Sequence, residues 1–199
     1  MVRRSAPTTS NPGPTRTENG ASPTTTTTGF TAVTPQRAVQ IMKAWAYHPW
    51  PITFDEGTRI YTSLGFKGDP DKSQFFTSDS SPTETDSFYY GDENTIDGVR
   101  MRLSNCVPKN DWANSLPKSR LAFQDYIDAY TRTLGAPITE KDNGTDFSTR
   151  WIVNGSIAVM IGGNEAFINL IVESPQQTKH LLDELEAKAN GEEIGADYF

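Results

Sequence analysis

The 199-residue sequence is short of the residue types that build several common kinds of site. It contains one cysteine and two histidines, which excludes a disulfide framework and a cysteine-based zinc site. Eighteen Lys and Arg face 25 Asp and Glu, for a net charge of −7, whereas a nucleic-acid surface needs clustered positive charge. No apolar run approaches the length of about 18 residues that a membrane span requires. We therefore expect neither a nucleic-acid partner nor a membrane partner.

The start of the chain also lacks the pattern of a secretory signal. Arg3 and Arg4 are not followed by an apolar stretch, although a signal peptide needs one after its basic residues. A cytoplasmic location is the expectation that follows.

Residues 1–29 lack aromatic side chains and are rich in Thr, Pro, Gly and Ser. Such a segment cannot bury enough apolar surface to offset a backbone ordering cost of roughly 1–2 kcal/mol per residue. We therefore predict a disordered Thr/Pro-rich tail over 1–29, a folded domain over 30–191 and a flexible acidic C-terminus over 192–199. Because the tail holds three Arg and one Glu, the rest of the chain carries −9.

Capping residues and hydrophobic periodicity predict the helices of the domain. Thr34-Pro35 begins a helix over 35–46, and Thr53 with Glu56 forms a capping box for a second helix that ends at Gly65. A long helix over 117–134 has an apolar side with Leu121. Ser174 caps a last helix that ends near Asn190 and whose Leu181, Leu182 and Leu185 are expected to face a sheet.

Alternating patterns predict six strands, three before the long helix and three after it. Val99, Met101 and Leu103 alternate with Arg100, Arg102 and Ser104, which is typical of a sheet with one solvated face. Asn154-Gly155 is the best dipeptide for a type I′ hairpin, and Gly162-Gly163-Asn164 is interpreted as a second turn. The predicted strands cover 74–77, 87–90, 99–103, 147–153, 156–161 and 166–172.

The predicted element order is ααβββαβββα. This order indicates a single α+β domain whose antiparallel sheet is covered by helices and is preceded by the disordered tail.

Residues that could carry catalysis are few and do not form a recognisable set. Cys106 could act as a nucleophile with His48 or His180 as its base, but we interpret it as a small buried or semi-buried thiol at a strand end. The carboxylate pairs Asp69/Asp71 and Asp92/Glu93 do not match a calcium loop. We predict no catalytic residues, no metal site and no cofactor.

Charge placement is the first positive signal for function. Between Asp69 and Asp97, eight acidic residues are opposed only by Lys72, so this segment carries −7. It can be a solvated hairpin region kept soluble by its charge. It can also steer a basic partner, because a surface of one sign raises association rates.

Aromatic residues give the second signal. Trp and Tyr are favoured at interface hot spots, although they also pack helices onto sheets. Trp50 lies between two prolines and is expected to be partly exposed, and Phe88 and Tyr90 stand inside the acidic segment. The candidate partner-binding residues are Asp86, Phe88, Tyr90, Asp92, Glu93 and Trp50.

Several short motifs resemble a family of small actinobacterial α/β proteins that are often encoded near secreted polymorphic toxins. The element order is also similar to that of secretion-chaperone-like folds. The resemblance implies a protein-binding role, in which the protein neutralises a toxin or escorts a secreted protein, and it implies no catalytic residues. The motifs that carry it are Ala44-Trp45, Trp50-Pro51, 60–65, 95–103, 133–139 and Thr149-Arg150-Trp151.

Two functional hypotheses follow. The first is a non-enzymatic protein-binding module, such as an immunity protein or a secretion chaperone, that binds a basic toxin or a secreted protein through the acidic strand region and nearby aromatics. The alternative is an enzyme with a carboxylate or Tyr site between the sheet and the N-terminal helices. The oligomeric state stays open.

Overall fold

Two short helices open the part of the chain that the computed structural model describes, residues 29–191. Helix α1 spans Pro35–Ala46 and α2 spans Phe54–Ser63. The side chains of Thr34 and Thr53 accept hydrogen bonds from the third residue after each, as predicted. The capping box is only half correct, because the Glu56 carboxylate lies 2.8 Å from His48 Nε2 instead. The predictions for residues 1–28 and 192–199 fall outside the described residues.

Seven antiparallel strands and two further helices complete the described residues. The sheet order is β1-β2-β3-β7-β6-β5-β4, so β7 lies between the two halves and pairs with β3 and β6. Helix α3 spans Trp112–Leu134 and α4 spans Pro175–Ala189. The α+β class is confirmed. The strands are β1 Phe75–Phe76, β2 Ser87–Asp92, β3 Thr95–Arg102, β4 Thr139–Asp142, β5 Phe147–Val153, β6 Ile157–Gly163 and β7 Ile168–Glu173.

The inner face of the sheet holds the hydrophobic core. Val99, Val172, Val159 and Trp151 stand in one cross-strand row, and each is almost fully buried. Helices α1 and α3 pack on this face against the central strands. Side chains of a strand alternate between the two faces of a sheet. The residues between these buried positions therefore lie on the opposite face, which we call the outer face.

One strand was not predicted. β4 has the polar sequence Thr-Glu-Lys-Asp, which offers no apolar alternation, and it forms an edge of the sheet by pairing with β5. The prediction of a turn at Gly162-Gly163 is also wrong, since both glycines belong to β6. The turn begins two residues later, at Asn164, whose Oδ1 accepts the backbone N–H groups of Ala166 and Phe167.

The long helix begins five residues earlier than predicted. Pro117 suggested a start there, but it lies inside α3. The first turn is anchored by Trp112 Nε1, which donates to the Val107 carbonyl at 2.9 Å, and by Ser115 Oγ, which donates to the Glu165 carbonyl. These tertiary contacts offset the backbone hydrogen bond that proline cannot make.

Two expectations about helix faces are corrected. Leu121 was placed on the apolar side of α3 but is 67% exposed. In α4 only Thr178 is buried, and Leu181, Leu182 and Leu185 are half-buried. Helix α4 packs against the ends of β3, β6 and β7, where Thr178 Oγ1 accepts the Ala158 N–H at 2.7 Å. Among residues 29–191, no helix is both long enough and apolar enough to cross a membrane.

Candidate functional site

The outer face of the sheet presents a row of mixed aromatic, basic and aliphatic side chains. We call this row the ridge. Its members are half-buried or exposed. In the cross-strand register its members follow one another in the order Phe88, Arg100, Ile171, Met160, Arg150 and Thr139.

Aromatic rings extend the ridge at its β1–β2 end. Phe88 lies 5.4 Å from Phe75 and 6.4 Å from Tyr90, measured between ring centroids. Tyr90 is 39% exposed, and its ring lies across Gly98, where an added Cβ would collide with it. Gly98 therefore allows the Tyr90 ring to lie on the sheet instead of projecting from it.

Three arginines of the outer face rest on aromatic or sulfur-containing side chains. The Arg102 guanidinium lies 4.0 Å from the Phe167 ring centroid, and that of Arg100 lies 5.8 Å from Phe88. Arg150 Nη2 is 3.3 Å from the Met160 sulfur. Such stacking holds a planar guanidinium in place while part of its edge stays available.

These three arginines have no carboxylate partner within the described residues. The ion pairs between residues 29 and 191 all involve other side chains: Arg37–Asp79, His48–Glu56, Arg120–Asp142 and Lys179–Asp183. In addition, Arg102 Nε and Nη1 are buried without a hydrogen-bond acceptor there. Unpaired positive charge thus collects on one face of an acidic protein.

The negative charge of Asp86 acts on Arg102. Burial raises the pKa of Asp86, while the positive charge of Arg102 opposes that effect. Burial likewise lowers the pKa of Arg102. The Asp86 carboxylate accepts hydrogen bonds from Ser78 Oγ at 3.0 Å and Ser87 Oγ at 3.1 Å, so it is held by its own neighbours and does not pair with Arg102.

A groove of about 720 Å³ runs beside the ridge across β7, β6 and β5. The ridge residues Arg100, Met160 and Ile171 line it together with Phe167 and Asn164. At its β4–β5 end the lining is mainly acidic, with Glu140, Asp142 and Asp146 beside Lys141. The floor lies on the neighbouring cross-strand row, which begins at Arg102 and continues through Asn169, Gly162, Ser148 and Lys141.

Two floor residues of the groove have features that the fold does not require. An added Cβ at Gly162 would meet nothing closer than 3.6 Å, and its φ is not in the left-handed region. Asn169, its cross-strand neighbour, is 8% exposed, and its Oδ1 accepts no hydrogen bond from any described group. Glycine inside a strand often marks a close approach by another molecule.

The six sequence-predicted binding residues lie in three places. Phe88 and Tyr90 lie on the outer face, and Asp86 lies next to Arg102 in the half-buried position described above. Asp92 and Glu93 are exposed at the β2–β3 turn. Trp50 is half-buried in the α1–α2 connection, which pairs with the same turn through Thr53 and Thr95.

The candidate nucleophile and bases lie on three different parts of the fold. Cys106 follows β3 and is exposed, which differs from the expected buried or semi-buried thiol. His48 follows α1 and contacts Glu56, and His180 is exposed on α4. Within residues 29–191 no cluster of three His, Cys, Asp or Glu side chains could hold a metal ion.

Tyr126 and Tyr130 of α3, which contact α1 and the residues before it, serve the fold. Tyr126 donates its hydroxyl to the Val33 carbonyl at 2.8 Å, and Tyr130 donates to Ala38 at 2.9 Å. Burial raises the pKa of both tyrosines. A buried, neutral and hydrogen-bonded phenol is poorly placed to transfer a proton.

Residues 36–174 match the model of a family of unknown function, DUF6301. The chain belongs to this family. The match runs from the start of α1 to the end of β7, so the DUF6301 region contains the whole sheet, the ridge and the groove, and it ends just before α4. No curated protein and no solved structure matches the chain.

The sequence predicted the aromatic residues at one end of this DUF6301 surface but not the arginines at its centre. Phe88 and Tyr90 were predicted, whereas Arg100 and Arg102 were seen only as the solvated side of a strand. Gly162 was assigned to a turn. The usable signal is the alternation of Arg100 and Arg102 with Val99, Met101 and Leu103, which places both arginines on the same face of β3.

Proposed function

We propose that this DUF6301 protein is a non-enzymatic protein-binding module and that its partner docks on the outer face of the sheet. The observation that carries the proposal is the ridge. Arg, Tyr, Phe and Met are enriched in protein interfaces, where aromatic and Arg anchors contribute most of the binding energy. The ridge presents these residue types side by side on the sheet face opposite to the one that packs against α1 and α3.

The two edge strands make it less favourable for a partner to add a strand to the sheet than to bind its outer face. β1 has two residues and β4 is short and polar. Short, charged edge strands are poor templates for a further strand. A partner is therefore expected to contact the side chains of the outer face.

The specific form of the proposed role is that of a cytoplasmic immunity protein or secretion chaperone. It rests on the family resemblance of the short motifs and on the acidic β2–β3 turn. Asp92 and Glu93 are exposed there, where their charges can steer a basic region of a toxin or a secreted protein. Trp50, in the connection that pairs with this turn, extends the same contact region.

The alternative of an enzyme with a Tyr or carboxylate site under the sheet receives less support. The hydroxyls of Tyr126 and Tyr130 are already used by backbone carbonyls, and the space around them is filled by the apolar core. The proposal therefore places function on the outer face.

Position-specific cross-linking tests the proposal. A photo-reactive phenylalanine analogue replaces Tyr90 or Met160 in the full chain, expressed in cells that naturally make the protein. The matched control replaces Gln124, which is exposed on α3. We expect one covalent protein adduct from the two outer-face positions and none from 124. An adduct from 124 with none from 90 and 160 would overturn the proposal.

A further inference from the structure

The ring of Tyr90 lies flat on the outer face of the sheet because its cross-strand neighbour is a glycine. Tyr90 pairs with Gly98 of β3, where an added Cβ would lie 2.6 Å from Tyr90 Cζ and 3.0 Å from Cε1. Any side chain at position 98 would therefore push the ring off the sheet. Because Tyr90 is 39% exposed, the ring presents aromatic surface to a binding partner.

Three aromatic rings stand at the β1–β2 end of the ridge, and two of them already hold a cation of the chain itself. Lys72 Nζ lies 5.6 Å from the ring centroid of Phe75, and the Arg100 guanidinium lies 5.8 Å from that of Phe88. Among the described residues, no Lys or Arg side chain lies over the third ring, that of Tyr90. The face of an aromatic ring attracts a cation, so Tyr90 can hold one that a partner supplies.

Two half-buried carboxylates stand beside this third ring. Glu173 of β7 follows Gly98 in the cross-strand row, and Asp97 precedes Gly98 in β3. Burial raises the pKa of Tyr90, and the negative charges of Glu173 and Asp97 raise it further, whereas Arg100 lowers it. Both carboxylates are therefore close enough to act on whatever binds at the ring.

The charge around Tyr90 is negative in sum. Glu173 and Asp97 take no part in the ion pairs of the described part of the chain. Asp92 and Glu93, exposed at the adjoining β2–β3 turn, add two further negative charges. Lys72 and Arg100 oppose these four carboxylates from the far side of the aromatic row. A positively charged group is the complementary occupant of this surface.

We propose that the ring of Tyr90 binds a Lys or Arg side chain of the partner protein, with Glu173 and Asp97 neutralising its charge. This inference rests on the proposed function and specifies the chemistry of its partner. A cation–π contact is stronger when it is shielded from water, and the docked partner supplies that shielding. The contact therefore acts in the bound complex and slows dissociation, whereas Asp92 and Glu93 at the rim act on association.

The probe is a hexapeptide of alternating Arg and Leu with blocked termini, titrated into the full ¹⁵N-labelled chain and followed by NMR. We expect the amide of Gly98, which the Tyr90 ring covers, to shift along one binding curve. Tyr90→Leu should weaken binding about fivefold, and Tyr90→Phe, which keeps the ring, should restore it. Tyr47→Leu removes a ring of similar exposure, 46%, from the end of α1; it is the matched control and should keep the wild-type Kd.

Two charge variants test the inference with the ring in place. They are needed because a ring that covers a strand glycine also stabilises the sheet. Glu173→Gln should weaken binding of the basic peptide about threefold. Arg100→Gln removes an opposing positive charge and should strengthen binding about twofold.

Four outcomes would overturn the inference. They are equal binding of the corresponding Glu and Leu hexapeptide, undiminished binding of the basic peptide by Tyr90→Leu or by Glu173→Gln, weaker binding by Arg100→Gln, and absence of binding at millimolar concentration. If the peptide fails while cross-links still form at 90 and 160, only the cationic anchor is wrong. If the cross-links also fail, the docking face is wrong.

Discussion

Arg102 stacks its guanidinium on the ring of Phe167 at 4.0 Å, yet two of its nitrogen atoms are buried without an acceptor in the described part of the chain. The stacking holds the side chain in place, whereas the lack of acceptors for these two nitrogen atoms lowers the stability of the folded state. An unpaired buried donor costs about 1–3 kcal/mol. Residues kept at a cost to stability are typical of functional surfaces.

Replacing Arg102 by Met should therefore separate stability from binding. Met keeps the length and the contact with Phe167 but removes the unpaired donors. We expect the free energy of unfolding to stay unchanged or to rise by up to about 1 kcal/mol, as measured by urea denaturation, while affinity for the partner captured by cross-linking falls about tenfold. A fall in stability of more than about 2 kcal/mol would identify Arg102 as a structural residue instead.

Gly162 and Gly163 are adjacent in β6 and should respond differently to alanine. Gly163→Ala places a Cβ against Phe147 and Ile168 in the core and should cost about 1–3 kcal/mol. Gly162→Ala adds a Cβ with ordinary contacts and should leave stability within about 0.5 kcal/mol of wild type or raise it slightly. Equal losses in urea denaturation for both variants would show that packing, not the groove, requires glycine at 162.

Asp86 should make the protein less stable as the pH rises through its raised pKa. Burial raises this pKa in the folded state above the ordinary value of 3.8, so the folded state binds the proton more tightly than the unfolded state. The resulting stability is present at low pH and is lost as the carboxyl ionises. Asp86→Asn should therefore gain stability relative to wild type between pH 4 and pH 7 in urea denaturation.

Asp142 is the matched control for that experiment, with the opposite sign. Its hydrogen bonds from Arg120 and from the Gly144 N–H hold its pKa below the ordinary value. The stability that this carboxylate supplies is present above the unfolded pKa and is lost as the pH falls. Asp142→Asn should thus lower stability at pH 7, and its effect should fade toward low pH. Identical pH trends for the two variants would contradict both assignments.

The acidic β2–β3 turn should act on the rate of association. Asp92→Lys combined with Glu93→Lys is expected to slow binding of the partner captured by cross-linking at low salt and to reduce its salt dependence, because exposed charges at the rim of an interface act mainly on the association rate. Asp86 is left unchanged because its carboxylate is bonded to Ser78 and Ser87. Stopped-flow measurements with an unchanged on-rate and salt dependence would exclude steering by this turn.

Local signals in the sequence predicted most elements of the fold. The Asn154-Gly155 dipeptide predicted the β5–β6 hairpin, and both residues have the positive φ of that turn, 52° and 71°. Thr34 and Ser174 cap α1 and α4 as predicted. β4 escaped prediction because a polar edge strand has no apolar alternation to recognise.

The groove could not be predicted because it arises from register between distant segments. Arg102 and Asn169 become neighbours only when β7 pairs with β3, and Gly162 joins them only when β6 pairs with β7. No local pattern encodes the order β3-β7-β6. The arginines of β3 were visible in the sequence, but not their lack of partners.

The most direct test of docking on the outer face uses the room at Gly162. Gly162→Leu fills the groove from its floor and, like Gly162→Ala, should leave the fold intact, as judged by Tm. Its affinity for the partner captured through Met160 is measured by calorimetry beside that of Gly162→Ala. We predict that Leu at this position weakens binding about tenfold or more, whereas Ala has little effect. Wild-type affinity of the Leu variant would contradict docking on this face.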